Sequence, residues 1–411
     1  MSAPRFAGVP RRVHEDLYKL IIGQLRLDGH EPVAQMLQHA TGLIAYPSQR
    51  LESLVSPSLS KEIQKLQAYN QIEDDEKLDF EVEAGPKTKS SYKPIFFTSH
   101  KGPCYTAVFS HDGKYAATGS ADTSVKLLDV EMMVAKRETK ETANPCRHTL
   151  KEHKQPVTTV AFDFSDTKLV TGSQDGTIKF FDLSKLGRAR QRSVCTISDS
   201  HVIHSIDYHP SSQYLLVGTS NPVVRLYDVA TQTCFASANE LEYHSASVNH
   251  VAFSCDGKVY ASASSDGSIK LWDGVSSRCV ATFSEAHGQS SVDCVRISRN
   301  FKYLLSCGRD NIIRLWDLAM GQVLIAYEGG SHAKYGLKAS FSHNERFVLG
   351  ANDGSNTAVA WDTRTGEMEQ GLVQPSIPGH AAPIREIATS PNVSGFLTAT
   401  EDKTARYWHY S

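Results

Sequence analysis

The sequence predicts a mainly β protein, seven similar β units closed into a propeller and preceded by a small all-α domain. The first observation is a local one. From His244 to Asp273 the chain reads as three short strands: Val248–Ser254, then Val259–Ser264 after Cys255-Asp256-Gly257-Lys258, then Ile269–Trp272 after Ser265-Asp266-Gly267-Ser268. Asp-Gly between alternating apolar runs is a strong hairpin signal. A lone meander of this kind cannot bury its faces, so it must recur. The second observation is that it does. The Asp or Asn of the second turn returns at Asp122, Asp175, Asn221, Asp266, Asp310, Asp353 and Asp402, and a histidine precedes each, at His100, His153, His201, His244, His287, His332 and His380. The unit closes at Asp129, Asp182, Asp228, Asp273, Asp317, Asp362 and His409, and all four tryptophans (Trp272, Trp316, Trp361, Trp408) stand just before a closing residue. The third observation is a change of period: before residue 71 apolar residues recur with helical spacing instead.

Taken in order, residues 1–12 read as a short, mildly basic, disordered tail. Val13, Leu17, Leu20, Ile21 and Leu25 fall on one helical face, with Asp28-Gly29 as the stop. Pro32 suits the first turn of a second helix carrying Val33, Met36 and Leu37. Leu51, Leu54 and Val55 mark a third helix, and Leu59, Ile63 and Leu66 a fourth. So few short helices bury little core, and dimerisation is the usual remedy. The expected homodimerisation domain is 13–70, with Val13, Leu17, Leu20, Ile21, Leu25, Val33 and Leu37 as its contact face. Packing of that face onto the propeller of the same chain is the other arrangement open to it. Residues 71–94 carry Glu73, Asp74, Asp75, Glu76, Asp79, Glu81 and Glu83 and read as an acidic, solvated linker.

The propeller is expected over 95–411. Its last unit ends its third strand near Trp408, so the fourth strand must come from elsewhere, and Ile95–Thr98 is the β-type run able to close the ring. Two connections between blades read as long. One is Glu131–Thr149; the other carries Lys185, Arg188, Arg190 and Arg192. That second loop is a candidate basic contact for RNA phosphate or an acidic peptide, or simply a solvated loop.

The recurring units resemble the WD-repeat family over about 95–411. In that family a loop His, a strand hydroxyl, the turn Asp and the Trp indole form a buried hydrogen-bonded chain. The resemblance implies two full sets here, His244, Ser262, Asp266, Trp272 and His287, Ser306, Asp310, Trp316. Leu128, Phe181 and Tyr227 replace Trp in blades one to three, and Leu349 takes the hydroxyl position in the sixth. Those blades are expected to lean on apolar packing. The segment Leu17–Leu37 also resembles a LisH motif, a helical homodimerisation element.

The formal net charge of −2 gives no global basic field for nucleic acid. Eight cysteines without C-x-x-C spacing read as reduced, buried thiols of a nuclear or cytosolic protein. No apolar run is long enough to span a membrane, so no membrane association is expected. There is no Gly-rich phosphate loop, G-x-S-x-G elbow or H-E-x-x-H helix, and the repeated histidines belong one to each blade. Neither an enzyme, a metal site nor a cofactor is expected.

LYKLIIGQLRLDG, TGSADTSVKLLD, LLVGTSNPVVRLYD, SIKLWDGVSSRCVATFSEAH and the ending ARYWHYS are similar to the fifty-kilodalton WD-repeat subunits of cleavage stimulation factor. That resemblance implies a nuclear, non-catalytic subunit of the machinery for pre-mRNA 3′-end cleavage and polyadenylation. It implies contact with the factor's helical-repeat scaffold subunit and, through it, the RNA-binding subunit, so that RNA is met mainly indirectly. The RNA polymerase II C-terminal domain is a further partner implied. Trp361-Asp362-Thr363-Arg364 instead looks like the adaptor-docking string of cullin-ring ubiquitin-ligase substrate receptors, which is the alternative reading.

Overall fold

A computed structural model describes residues 92–135, 144–185, 192–330, 338–352, 354–369 and 380–410. The chain divides at Leu78–Asp79, and every described residue lies in the second unit. The faces carrying Val13, Leu17, Leu20, Ile21, Leu25, Val33 and Leu37 lie outside the described residues.

The described part is a seven-bladed propeller. Blade one runs Cys104–Phe109, Tyr115–Ser120, Val125–Asp129, Cys146–Leu150 in spatial order. Blades two to five repeat the arrangement, with inner strands Val157–Phe162, Ile203–Tyr208, Val248–Phe253 and Val292–Ile297. Their outer strands are Cys195–Ser198, Cys234–Phe235, Cys279–Phe283 and Gln322–Tyr327. Blade six keeps Ser340–Phe341, Phe347–Asn352 and Thr357–Asp362, and its fourth member is reduced among the described residues to a bridge between Trp361 and Met368. Blade seven is composite: Ile384–Thr389, Gly395–Thr400 and Thr404–Tyr410 are completed by Tyr92–Ser99. That outer strand begins three residues ahead of Ile95 and pairs antiparallel with Thr404–Tyr410.

The blades pack closely because the second strands carry small residues. A Cβ added at Gly119 would come within 2.9 Å of Val157 from blade two, and one at Gly172 within 2.6 and 2.7 Å of Ile206 and Ile203 from blade three. Larger side chains there would push the sheets apart. Apolar clusters accordingly run from blade to blade; one joins Leu128 and Phe109 of blade one to Leu397 and Tyr407 of blade seven.

Three expectations need correction. The stretches 131–149 and 185–192 do not connect blades. Each joins the third strand of a blade to its own fourth, Cys146–Leu150 and Cys195–Ser198. The repeat signature ends at the closing Asp, so the fourth strand was hidden in what read as connection. The first of these stretches also begins with a helix, Val130–Ala135, whose Met133 is fully buried in the cluster shared by blades one and seven. Nor are most of the thiols buried. All eight cysteines are free, but only Cys104, Cys294 and Cys307 are buried, while Cys234 and Cys255 are exposed. Cys146, Cys195, Cys234 and Cys279 each head an outer strand, one of whose edges pairs with no strand among the described residues.

Candidate functional site

A propeller offers a rigid ring of loops around a channel, and the rigidity begins with the repeated polar chain. In blade four, His244 Nδ1 lies 3.2 Å from Asp266 Oδ2, His244 Nε2 lies 2.7 Å from Ser262 Oγ, and Trp272 Nε1 donates to the same Oγ at 2.8 Å. Asp266 only accepts, so Nδ1 carries the proton, Ser262 donates to Nε2 and the indole donates to Ser262. Blade five repeats the geometry: His287 lies 2.8 Å from Asp310 and 2.7 Å from Ser306, which accepts from Trp316 at 2.8 Å. Blade seven holds a third full set, His380, Thr398, Asp402 and Trp408, at 3.0, 2.8 and 3.0 Å. Sequence reasoning passed over it, although its spacing matches the others.

Blades one and two keep the chain without the indole, His153 lying 2.7 Å from Thr171 and 3.2 Å from Asp175. Blade three departs further: Tyr227 packs in an apolar cluster with Ile178, Ile206 and Val217, as expected of a blade without the tryptophan, and adds polar bonds of its own. Val217 stands where the hydroxyl would be, and Tyr227 Oη donates to Asp199 Oδ2 at 2.7 Å, with Arg225 paired to the same carboxylate. In blade six Trp361 donates instead to the Glu328 carbonyl at 2.8 Å. His332 and Asp353 lie outside the described residues.

The electrostatics fit this architecture. Burial alone would raise Asp122, Asp175 and Asp310, but donated hydrogen bonds hold all three down at about 2. Burial depresses His100 to about 4 and lowers His153, His287 and His380. These histidines are therefore neutral hydrogen-bonding links at neutral pH, set apart one to a blade. Among the described residues no group of three or more His, Cys, Asp or Glu could hold a metal ion.

A second recurring feature was also missed. Two residues before the aromatic position stands a base, Lys126, Lys179, Arg225, Lys270, Arg314 and Arg406. Lys270 Nζ donates to the Glu242 carbonyl at 2.9 Å, Lys179 lies 3.6 Å from Glu152, and Lys126 reaches Thr98 and Ser99. These three lysines fasten the segment entering their blade onto its third strand, whereas Arg314 and Arg406 pair with the turn aspartates of their own blades, Asp310 and Asp402. Its signal was the register itself, legible once the units are aligned.

The channel is lined by the inner strands. Six of them carry a one-residue bulge, at Tyr105, Thr158, His204, Asn249, Asp293 and Arg385. Such bulges re-aim a side chain, and here the pairing resumes at the next residue. The next residue stitches blade to blade: Thr159 accepts from Ile206 N, Ser205 from Val251 N, and Glu386 from Ala107 N across the closing seam, at 3.2, 3.3 and 3.2 Å. Glu386 is buried and also meets Lys338 at 3.1 Å and Arg296 at 3.7 Å. The basic loop is not assembled into a patch among the described residues. Lys185 pairs with Asp182 at 2.8 Å, Arg192 is exposed, and Arg188 and Arg190 lie outside the described residues.

Comparison with known proteins places this architecture. The chain is 32% identical over 419 residues to cleavage stimulation factor subunit 50 of Arabidopsis thaliana, covering 97% of this chain and 96% of the relative. The chain belongs to the cleavage stimulation factor subunit 50 family. A model of the dimerisation domain of cleavage stimulation factor subunit 1 matches residues 12–63, so this family member carries the small N-terminal dimerisation domain expected from its helical period. Models of the NUP159/214 beta propeller and of the WD domain, G-beta repeat, match 105–301 and 371–409. The chain is also 22% identical to an Arabidopsis thaliana WD repeat-containing protein 26 homolog (89% of this chain, 58% of the relative). To the nuclear distribution protein PAC1 of Coccidioides posadasii it is 30% identical (65% and 60%). Within the subunit 50 family, then, this chain joins a dimerisation domain to a WD-repeat propeller, the composition of a scaffold.

Proposed function

We propose that this protein is the non-catalytic WD-repeat scaffold subunit of cleavage stimulation factor and acts in the nucleus in pre-mRNA 3′-end cleavage and polyadenylation. The observation that carries the reading is similarity along almost the whole chain, dimerisation domain and propeller together, to a subunit named for that factor. In this reading the protein is a homodimer through 13–70, with Val13, Leu17, Leu20, Ile21, Leu25, Val33 and Leu37 at the contact. Pairing sets two propellers in one assembly and raises the effective concentration of whatever they hold. Each propeller holds a segment of the helical-repeat scaffold subunit, and the RNA-binding subunit is reached through it. The RNA polymerase II C-terminal domain is a further partner, and RNA is contacted mainly by other subunits.

Affinity purification from nuclear extract tests this, with the full chain beside a variant lacking residues 1–75. The full chain should recover 3′-processing subunits together with a second copy of itself, and the truncated chain should lose the second copy. Recovery of cullin-ring adaptor in their place would sink the proposal. The structure accounts for the Trp361–Arg364 string by turn chemistry: the Asp362 carboxylate accepts from Arg364 N at 2.9 Å and Thr365 N at 3.2 Å, and Thr363 is fully buried. Tight binding of G/U-rich RNA by the purified protein alone, at physiological salt, would contradict the indirect role.

A further inference from the structure

Arginines precede the outer strand of blade two in a fixed alternation. Arg188, Arg190 and Arg192 are separated by single residues and followed at once by Ser193 and Val194, the string Arg-x-Arg-x-Arg-Ser-Val. Arg-x-Arg-x-x-Ser or Arg-x-Arg-x-x-Thr occurs nowhere else in the chain. The alternation matters chemically, because in an extended segment every second side chain falls on the same side. A cleft lined with carboxylates can take such guanidinium groups as bidentate pairs and so present the Ser193 hydroxyl to a phosphoryl donor.

The structure shows what that hydroxyl does before any such transfer. Ser193 is half-buried between exposed Arg192 and Val194, the latter 65% exposed. Its Oγ donates to Glu152 Oε2 at 2.7 Å and its N to Glu152 Oε1 at 3.1 Å. Glu152 stands just before His153, on the segment that leads from Cys146–Leu150 of blade one into blade two. The pair of bonds therefore ties the head of blade two's outer strand to the segment entering that blade. Lys179, 3.6 Å from Glu152, faces Thr196 across the strand pair, and Thr196 Oγ1 lies 3.5 Å from Ser193 Oγ. A phosphate on Ser193 Oγ would replace the donated proton by about −1.5 to −2 charges at pH 7. Glu152 would then be repelled, with Lys179 at hand to pair with the new group.

We propose that Ser193 is the acceptor of an arginine-directed protein kinase, and that its phosphate unties the outer strand of blade two from the segment entering that blade. In the transfer a bond forms between Ser193 Oγ and the γ-phosphorus of ATP while the bond from that phosphorus to its bridging oxygen breaks. The hydroxyl proton passes to the kinase's base, and ADP leaves. The test incubates the full chain with labelled ATP and purified protein kinase B, which selects arginine five and three residues before its acceptor, and locates the label by mass spectrometry. Label should enter at Ser193, be lost in Ser193→Ala and return in Ser193→Thr. Arg188→Ala with Arg190→Ala keeps Ser193 and its bond to Glu152, yet should slow labelling by about tenfold or more. Amide hydrogen exchange reads the consequence: residues 151–153 and 193–196 should exchange about tenfold faster or more once phosphorylated, as loss of a hydrogen bond to a charged group implies. Glu152→Gln leaves no charge to repel, so phosphate should raise exchange far less in that variant. Labelling that persists in Ser193→Ala, or that ignores the two arginines, overturns the site. Exchange indifferent to the phosphate overturns the untying.

Discussion

Ser262→Ala is the sharpest perturbation of the polar chain, because Ser262 is its middle link. Ser262 is fully buried and holds two groups at once: it accepts from the Trp272 indole at 2.8 Å and donates to His244 Nε2 at 2.7 Å. Removing the hydroxyl leaves a buried donor and a buried acceptor without partners. Each stranded group costs about 1–3 kcal/mol, which puts the variant about 2–6 kcal/mol below wild type. Trp272→Phe removes one bond of about 1 kcal/mol and trims packing in which the indole stacks on Tyr260 at 5.9 Å. In the double variant no indole N–H is left to strand. The two costs should therefore fall short of their sum by about 1–2 kcal/mol. The assay is a double-mutant cycle by urea unfolding, followed by far-ultraviolet circular dichroism because the substitutions change the tryptophan signal. Additivity within about 0.5 kcal/mol would show that Ser262 does not couple the indole to the imidazole, and the chain would then be a set of unrelated contacts.

Met133→Ala should cost about 2–5 kcal/mol, since Met133 is fully buried where the helix Val130–Ala135 meets the seam of blades one and seven; thermal unfolding checks it. Deleting 92–99 strips the outer strand from blade seven and should lower the propeller's melting temperature far more than deleting 1–70, as calorimetry of the two truncations would show. Acid should weaken the fold earlier than carboxylates alone would require. Burial holds His100 at about 4 in the folded chain, against 6.5 when unfolded, so the unfolded state binds more protons between those values. Its contribution is complete above pH 6.5 and is lost as pH falls toward 4, at a ceiling of about 3 kcal/mol. Melting temperatures measured from pH 7.5 to 4 should fall through this window, and less steeply in His100→Gln; equal slopes would remove His100 from the account.

Different parts of the molecule were legible in the sequence to different degrees. The first three strands of each blade announce themselves because their turns require Asp, Asn or Gly and their aromatic position faces a packed neighbour. Outer strands have no such requirement. Cys195–Ser198 and Cys234–Phe235 share little beyond the leading cysteine, and the stretch before Cys146–Leu150 is long enough to have passed for an inter-blade connection. The polar chain was read where tryptophan marked it, in blades four and five. It was overlooked in blade seven, where a closing histidine replaces the usual Asp, and in blade three the Tyr227 hydroxyl, whose ring packs among apolar neighbours as expected, adds a bond to Asp199 that the spacing did not show.

The sequence by itself determined the number of blades, the place of each turn and the need for a borrowed strand near Ile95, because repetition and turn chemistry act over a few residues. Membership of a scaffold family rests on the same chain-long pattern. Only the tertiary structure decided how the ring is shut and what it shows to solvent. Glu386 bonds Ala107, 279 positions away in the chain, Met133 fills a seam between the first blade and the last, and Glu242 accepts from Cys279 N, 37 positions on. Those outcomes depend on which distant groups arrive at the same point, and local periodicity carries no information about that.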